Sequence, residues 1–352
     1  MFTGYIKAIL EGNLSACKEA DSFLQSAMWG EFKSRFGWTS KAFLIEWADY
    51  AACPLLLLSR RLASCLSFAY VPWGPALPDN FPAADRAAAL AELAKKLKPF
   101  LARNTAFIRF DPPWGSAEGE GASLSSIGFK HASADIQPPD TVIVNLTASC
   151  EEILAAMKPK WRYNISLAGK KGVQVNCGGA QQTEKFYNLL KETALRDGIA
   201  IHSIDYYKTL FDICGDSSLR LYTAGHEGDT LAATMVLFWG KTATYLYGAS
   251  SNIKRNLMAP YALQWKAMQD AKDAGCTQYD FFGIPPDDNP SHPMAGLYRF
   301  KTGFGGQIIH RLGSWDYPYK PFVYNLFNLA EALRKKIRDR RKRIATHADK
   351  KV

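Results

Sequence analysis

The sequence predicts a mixed α/β protein of two domains. Three observations predict it. At 352 residues the chain exceeds the size at which one hydrophobic core usually stops growing. Helical and extended patterns alternate along it, and the second half repeats the plan of the first.

The segment SAMWGEFKSRFGW reads as a short helix running into a strand, with Trp and Phe as core anchors. KAFLIEWADYAACPLLLLSRRLASCLSFAYVPWGP follows as successive strands, stopped by a Pro/Gly-rich turn, and PLLLLS inside it is a buried strand. PAADRAAALAELAKKLKPFLARN is an alanine-rich amphipathic helix, and TAFIRFDPPW is a strand that breaks at Asp-Pro-Pro. A Gly/Ser/Ala-rich loop (SAEGEGASLSS) and a strand in QPPDTVIVNLTAS close the first half.

At Ser149 the pattern changes. Ser149 stands at an N-cap with Glu152 three residues on, a reciprocal capping arrangement, and the helix it opens is interrupted at Pro159. The domain boundary is placed here. EKFYNLLKETALRDG and IDYYKTLFDICG are helices, and LRLYTAGHEGDTLAATMVLFWGKTATYLYGASS is a meander of three strands. A helix (APYALQWKAMQDAKDAG) and the strand QYDFFG complete an acyltransferase-type order. An acetyl-CoA enzyme would place a glycine-rich phosphate cradle before that last helix. The junction here, SSNIKRNLMAPYAL, has no glycine and has a proline.

Composition narrows the classes further. With 47% hydrophobic and 22% charged residues the chain is that of a globular protein, and no apolar run approaches the roughly 20 residues of a membrane span. The N-terminus shows no export leader, so a cytoplasmic location is expected. Seven scattered cysteines, without a CxxC pair, read as small buried hydrophobes and not as metal ligands. The formal charge is +10, and RKKIRDRRKR at 334–343 carries eight basic residues and one acid. Such a run holds polyanions, either RNA phosphates or an anionic lipid surface; otherwise it is a solvated terminal helix. No apolar stripe is expected on the surface, which favours a monomer.

MKPKWRYNISLAGKKGV, ETALRDGIAIHSIDYY, YLYGASS and YDFFGIPP followed by HPMAGLYRFKTGFGG, with YVPWGP, RFDPP and IQPPDT upstream, together resemble the FemABX family, the aminoacyl-tRNA-dependent peptidyltransferases that build peptidoglycan interpeptide bridges. The resemblance runs in matching order from about residue 25 to 320. It implies two acetyltransferase (GNAT)-like domains in tandem, 1–148 and 149–310, the first completed by the C-terminal segment 311–352. Without a heptad run the chain is similar to the compact members that lack a coiled-coil arm. The implied reaction is aminolysis of an aminoacyl-tRNA ester by the side-chain amine of the third stem-peptide residue, on a UDP-MurNAc-pentapeptide or on lipid II. An ester is already activated, so aminoacyl-tRNA is a co-substrate and neither cofactor nor metal is implied. Peripheral contact with the inner membrane face goes with the lipid-linked acceptor.

The resemblance also assigns residues. Lys301 matches the family lysine beside the reacting ends, on a strand, with Phe300 shaping the pocket; without the resemblance it is a solvated lysine at a strand end. Lys33 matches a contact to the acceptor diphosphate, and Tyr206, Tyr245 and Tyr247 match aromatic residues that hold the same acceptor; read alone they are a helix-surface residue and packing tyrosines. His202 stands where relatives carry an arginine. A histidine makes no bidentate phosphate contact, which counts against the nucleotide-linked acceptor and leaves the lipid-linked one. Asp111 and Asp316 match acidic positions that accept a proton or hold the stem-peptide amine, Asp111 being the better candidate; otherwise they are turn and loop residues. Arg162, Lys170 and Lys171 are the expected contacts to the tRNA acceptor stem, or else an exposed basic face. Two rivals stand beside this reading: a CoA-dependent N-acyltransferase, and a non-catalytic RNA- or membrane-surface-binding protein.

Overall fold

A computed structural model describes residues 4–63, 66–115 and 119–349, the side chains of 63, 335 and 337–349 excepted. Cys65, part of the 116–126 loop and most of the basic side chains of the 334–343 run therefore lie outside the described residues.

The first half comprises β1 (Ile6–Gly12), α1 (Ala27–Ser34), β2 (Thr39–Trp47), β3 (Cys53–Ala63), β4 (Leu66–Val71), α2 (Arg86–Leu97), β5 (Thr105–Phe110), α3 (Glu120–Ser126) and β6 (Lys130–His131). Then come β7 (Asp140–Asn145), α4 (Cys150–Ala156), α5 (Pro159–Lys170), β8 (Gln174–Gly178), α6 (Thr183–Asp197), α7 (Ile204–Ser218) and β9 (Leu219–His226). The chain ends with β10 (Asp229–Trp239), β11 (Thr242–Ser250), α8 (Ala259–Asp273), β12 (Gln278–Asp280), α9 (Ala295–Thr302), β13 (Gln307–His310), β14 (Trp315–Pro318) and α10 (Pro321–Asp349). The Ser149 capping box is present, and Pro159 starts α5 at a position where its missing N–H is not needed.

Two seven-stranded sheets result, β1-β2-β3-β4-β5-β14-β6 and β13-β7-β12-β11-β10-β9-β8. Each holds one parallel pair, β4 with β5 and β11 with β12, and the crossovers between them are α2 and α8. The fold is thus mixed α/β, with the predicted helix, helix, three-strand, helix, strand order in its second half. β5 is buried at all six positions, because α2 covers one of its faces and α10 the other.

The chain changes sheet at a different place from the one expected. β7 pairs with β12 and β13 of the second sheet, so the crossing lies between residues 131 and 140 and not at 149. The capping box at Ser149 marks only a helix start within the second half. A return crossing between β13 and β14 inserts β14 into the first sheet next to its edge, between β5 and β6. One hydrophobic cluster joins the halves: Phe32, Leu56 and Phe107 of the first share it with Phe186, Leu210 and Met235 of the second.

Three surface expectations change. Lys301 lies on helix α9 and not on a strand: Ala, Leu, Arg and Lys favour helix between Pro293 and Gly303, and Tyr298, Phe300 and Phe304 pack one side of it. Gly306 then needs to be glycine, since its φ is 96° and a Cβ would sit 2.6 Å from the Ile143 carbonyl oxygen. Cys177 is exposed because β8 is a sheet edge. Finally, α10 carries exposed Phe322, Leu326, Leu329 and Leu333, an apolar stripe where none was expected. Among the described residues no helix is long and apolar enough to cross a membrane.

Candidate functional site

Lys301 points inward from α9 and is only 6% exposed. Its ammonium donates to the backbone carbonyls of Phe282 and Gly283 and lies 5.0 Å from the centre of the Tyr245 ring. Burial drives its pKa down to about 7, and the nearby Asp280 carboxylate opposes that fall. Asp280 closes β12, accepting from the Phe282 N–H at 2.7 Å and from the Thr141 hydroxyl; burial raises its carboxyl pKa. Next along the helix, Phe300 turns its ring onto Tyr261 and Phe304, 5.3 and 5.2 Å away, and its carbonyl accepts from the Trp161 indole. Phe300 therefore anchors α9 to α5.

The backbone beside Lys301 is strained. Phe282 and Trp73 have φ of 49° and 41°, in the left-handed region that bulky side chains avoid at a cost on the order of 1–3 kcal/mol each. Their rings meet at 5.7 Å, and the Arg311 guanidinium lies over Trp73 at 4.2 Å. Trp73 follows β4 of the first sheet and Phe282 follows β12 of the second, so strain is concentrated where the two sheets face each other at Lys301.

A second cluster lies beyond Phe23. Ser26 caps α1, which carries Lys33 in its last turn. The Lys33 ammonium lies over Trp29, Trp38 and Tyr206, at 5.5, 5.6 and 6.0 Å. Arg60 of β3 lies over the same Trp38 at 5.5 Å, and the His202 ring stacks on Tyr206 at 3.9 Å. The Tyr247 hydroxyl donates to that of Tyr206 at 3.4 Å. Among the described residues neither Lys33 nor Arg60 has an ion-pair partner. Burial, then Arg60, lowers the Lys33 pKa to about 8; burial, then Lys33, lowers that of His202. Basic groups that repel one another without a counter-ion form a site for an anion. Phe23 bridges the two clusters, 6.3 Å from Phe282 and 5.4 Å from Trp29.

Arg60 is the residue that sequence reasoning missed. The Arg-Arg pair after the buried leucines carried no sign of a partner. The β2–β3 register, which pairs Thr39 with Ser59, is what brings Arg60 beside Trp38.

The two aspartates are not open to substrate as the chain is folded. Asp111 is buried, accepting from the Tyr70 hydroxyl and from Ser314 Oγ at 2.5 Å, and burial pushes its pKa up to about 6. Asp316 is fully buried, paired with Arg109 through both oxygens at 2.7 and 2.8 Å and accepting from the Tyr324 hydroxyl at 2.9 Å. Both hold the first sheet together: Asp111 directly follows β5 and is bound by Ser314, just before β14, and Asp316 lies on β14 itself. Arg162 donates to the carbonyls of Ala155 and Met157 and so closes the end of α4, while Lys170 and Lys171 are exposed at the end of α5. At the junction before α8, Lys254 is paired with Glu227 and Asp229 at 3.1 and 2.9 Å.

Comparison with known proteins agrees with this architecture. A FemAB family model matches residues 13–224 and 220–332. A lipid II:glycine glycyltransferase of Staphylococcus saprophyticus is 25% identical over 396 aligned residues, with 92% of each chain covered. That of Staphylococcus epidermidis is 25% identical over 377, covering 86% of this chain and 89% of the relative. The crystal structure of FemX superimposes with a TM-score of 0.78 at 22% identity, over 90% of this chain and 97% of that one, which shows a shared fold.

Proposed function

The chain belongs to the FemAB family, and from that membership we propose that it is an aminoacyltransferase of cell-wall synthesis, moving an amino acid from aminoacyl-tRNA onto the stem-peptide amine of a diphosphate-linked peptidoglycan precursor. The observation that carries the reading is a run of aromatic contacts through Trp29, Phe23 and Phe282, with Lys33 and Arg60 at one end, lacking an ion-pair partner among the described residues, and the buried Lys301 at the other. The first end suits a diphosphate and the second an ester under attack.

In the reaction the amine nitrogen forms a bond to the ester carbonyl carbon, and the carbon–oxygen bond to the tRNA ribose breaks. The amine's proton ends on the departing ribose hydroxyl. Two N–H groups of Lys301 are held by the Phe282 and Gly283 carbonyls, which leaves its third for the oxyanion that forms in between. Removing one such donor costs about 100- to 1000-fold in turnover. Relatives named for lipid II, together with His202 in place of an arginine, favour the lipid-linked acceptor. Lys170 and Lys171 supply charge for the tRNA acceptor stem.

The test mixes the protein with a tRNA pool charged with labelled amino acids and with either lipid II or UDP-MurNAc-pentapeptide. A mass gain on lipid II that RNase abolishes is expected. A gain supplied by acetyl-CoA and indifferent to RNase would replace the proposal with the CoA-dependent reading. Lys301→Ala is expected to lower kcat by about 100-fold or more with KM for the acceptor changed only a few-fold, and equal turnover would remove Lys301 from the mechanism.

A further inference from the structure

Helix α10 is apolar on two opposite sides. Its inner side, Val323, Tyr324 and Phe327, enters the core shared by the two sheets, where Tyr324 and Phe327 lie 5.2 and 5.4 Å from the Phe107 ring. Its outer side carries Phe322, Leu326, Leu329 and Leu333, which are 52–76% exposed. Steps of four, three and four residues, at about 100° each, bring these four within about 60° of arc. Core packing explains the inner side alone. The outer stripe covers nothing among the described residues.

The same helix runs on through 334–343, with eight basic residues against one acid. We infer that α10 docks the protein on an anionic lipid bilayer, the Phe322–Leu333 stripe entering the boundary between headgroups and acyl chains and the basic sequence that follows it supplying positive charge for the lipid headgroups. Both halves of the helix are then accounted for by one occupant. RNA would neutralise the cations but gains nothing from a phenylalanine and three leucines. A second copy would cover the stripe but leave the basic run without counter-charge. An interfacial helix needs apolar burial and electrostatic attraction together, since either alone binds a bilayer weakly.

Docking here has a geometric consequence. Phe327 touches Phe107, which stacks on Phe68 at 5.3 Å, which meets Trp38 at 5.5 Å, beside Lys33. The docking helix is therefore packed through consecutive rings to the cluster that lacks a counter-ion. The inference itself does not depend on the transfer reaction, because bilayer binding is read without either substrate.

The experiment is vesicle flotation of the full chain, with phosphatidylcholine alone or with about 30% phosphatidylglycerol, at low and high salt. Flotation with the anionic vesicles only, weakened by salt, is expected. The joint variant Phe322→Ser, Leu326→Ser, Leu329→Ser, Leu333→Ser is expected to lower the partition coefficient by about 100-fold or more, with Tm and far-UV circular dichroism unchanged because the four side chains are exposed. A chain ending at residue 333 should keep the stripe and lose the dependence on lipid charge. Flotation unaltered by the four serines would overturn the inference. So would failure to bind either vesicle, with tRNA retained on the basic run instead or with a dimer in sedimentation that the serines dissolve.

Discussion

In the proposed reaction, His202 bears on how the acceptor's diphosphate is held. Its ring is stacked flat on Tyr206 beside Lys33, and burial, then the Lys33 charge, lowers its pKa, which favours the neutral ring and leaves the positive charge to Lys33 and Arg60. Arg60→Ala is expected to raise KM for a diphosphate-linked acceptor by about tenfold while kcat stays within twofold, the pattern of lost ground-state binding. His202→Arg should lower that KM, most of all for the UDP-linked acceptor; no change in either would place the phosphates elsewhere. In the proposed reaction Lys301 sets a pH dependence of a definite sign. An ammonium that donates to the oxyanion is lost as pH rises through its pKa of about 7, so turnover should show a descending limb near 7. In Lys301→Arg the group stays charged, and a pH–rate profile should then lack that limb. A limb that persists in the arginine variant would assign it to another group. The lysines were legible in the sequence through the family resemblance. Their energetics were not, because burial and the positions of Arg60 and Asp280 are set by strands distant in sequence.

At the scale of elements, β14 explains the two aspartates. Asp316 lies directly opposite Arg109 in the β5–β14 register, and the pair sits inside a seven-stranded sheet with Tyr324 of α10 as third member. Removing one partner of such a pair leaves a buried charge uncompensated, so Asp316→Ala should cost about 3–5 kcal/mol, measured by urea unfolding. The double substitution Arg109→Met with Asp316→Leu should recover most of that loss, since no charge is then left behind. A single substitution within about 1 kcal/mol of the parent would show that water reaches the site. Apolar runs made β2 to β5, β9 to β12 and the longer helices visible in the sequence, as the four fully buried leucines of β3 illustrate, whereas β1, β8, β13 and β14 carried no such signal and α3 lies in a segment that reads as loop. Pairing was less visible. β7 reads the same whichever sheet it joins, and only its ladder to β12 and β13 decides. In α9 the proline and glycines that suggested a turn-bounded strand are the start and stop of a one-sided helix.

For the whole molecule the question is whether two sheets mean two folding units. The chain crosses between them twice, and β14 returns to complete the first sheet only after β13 has completed the second. The core they share holds large side chains from both, with Phe32 against Tyr206 at 4.7 Å as one direct contact. Burial of one such side chain contributes about 2 kcal/mol, so exposing six would cost on the order of 10 kcal/mol, as much as the net stability of an ordinary domain. Neither sheet can open alone at that cost. Equilibrium unfolding in urea is therefore expected to be one cooperative transition, with tryptophan fluorescence and far-UV circular dichroism giving the same midpoint. The comparison discriminates because six of the nine tryptophans, Trp29, Trp38, Trp47, Trp73, Trp114 and Trp315, belong to the first half or its completing strand, so fluorescence is weighted towards that half, whereas circular dichroism reports evenly on both. Separate midpoints would mean that the shared core is weaker than its contacts indicate, and that the sheets are independent domains hinged at Lys301.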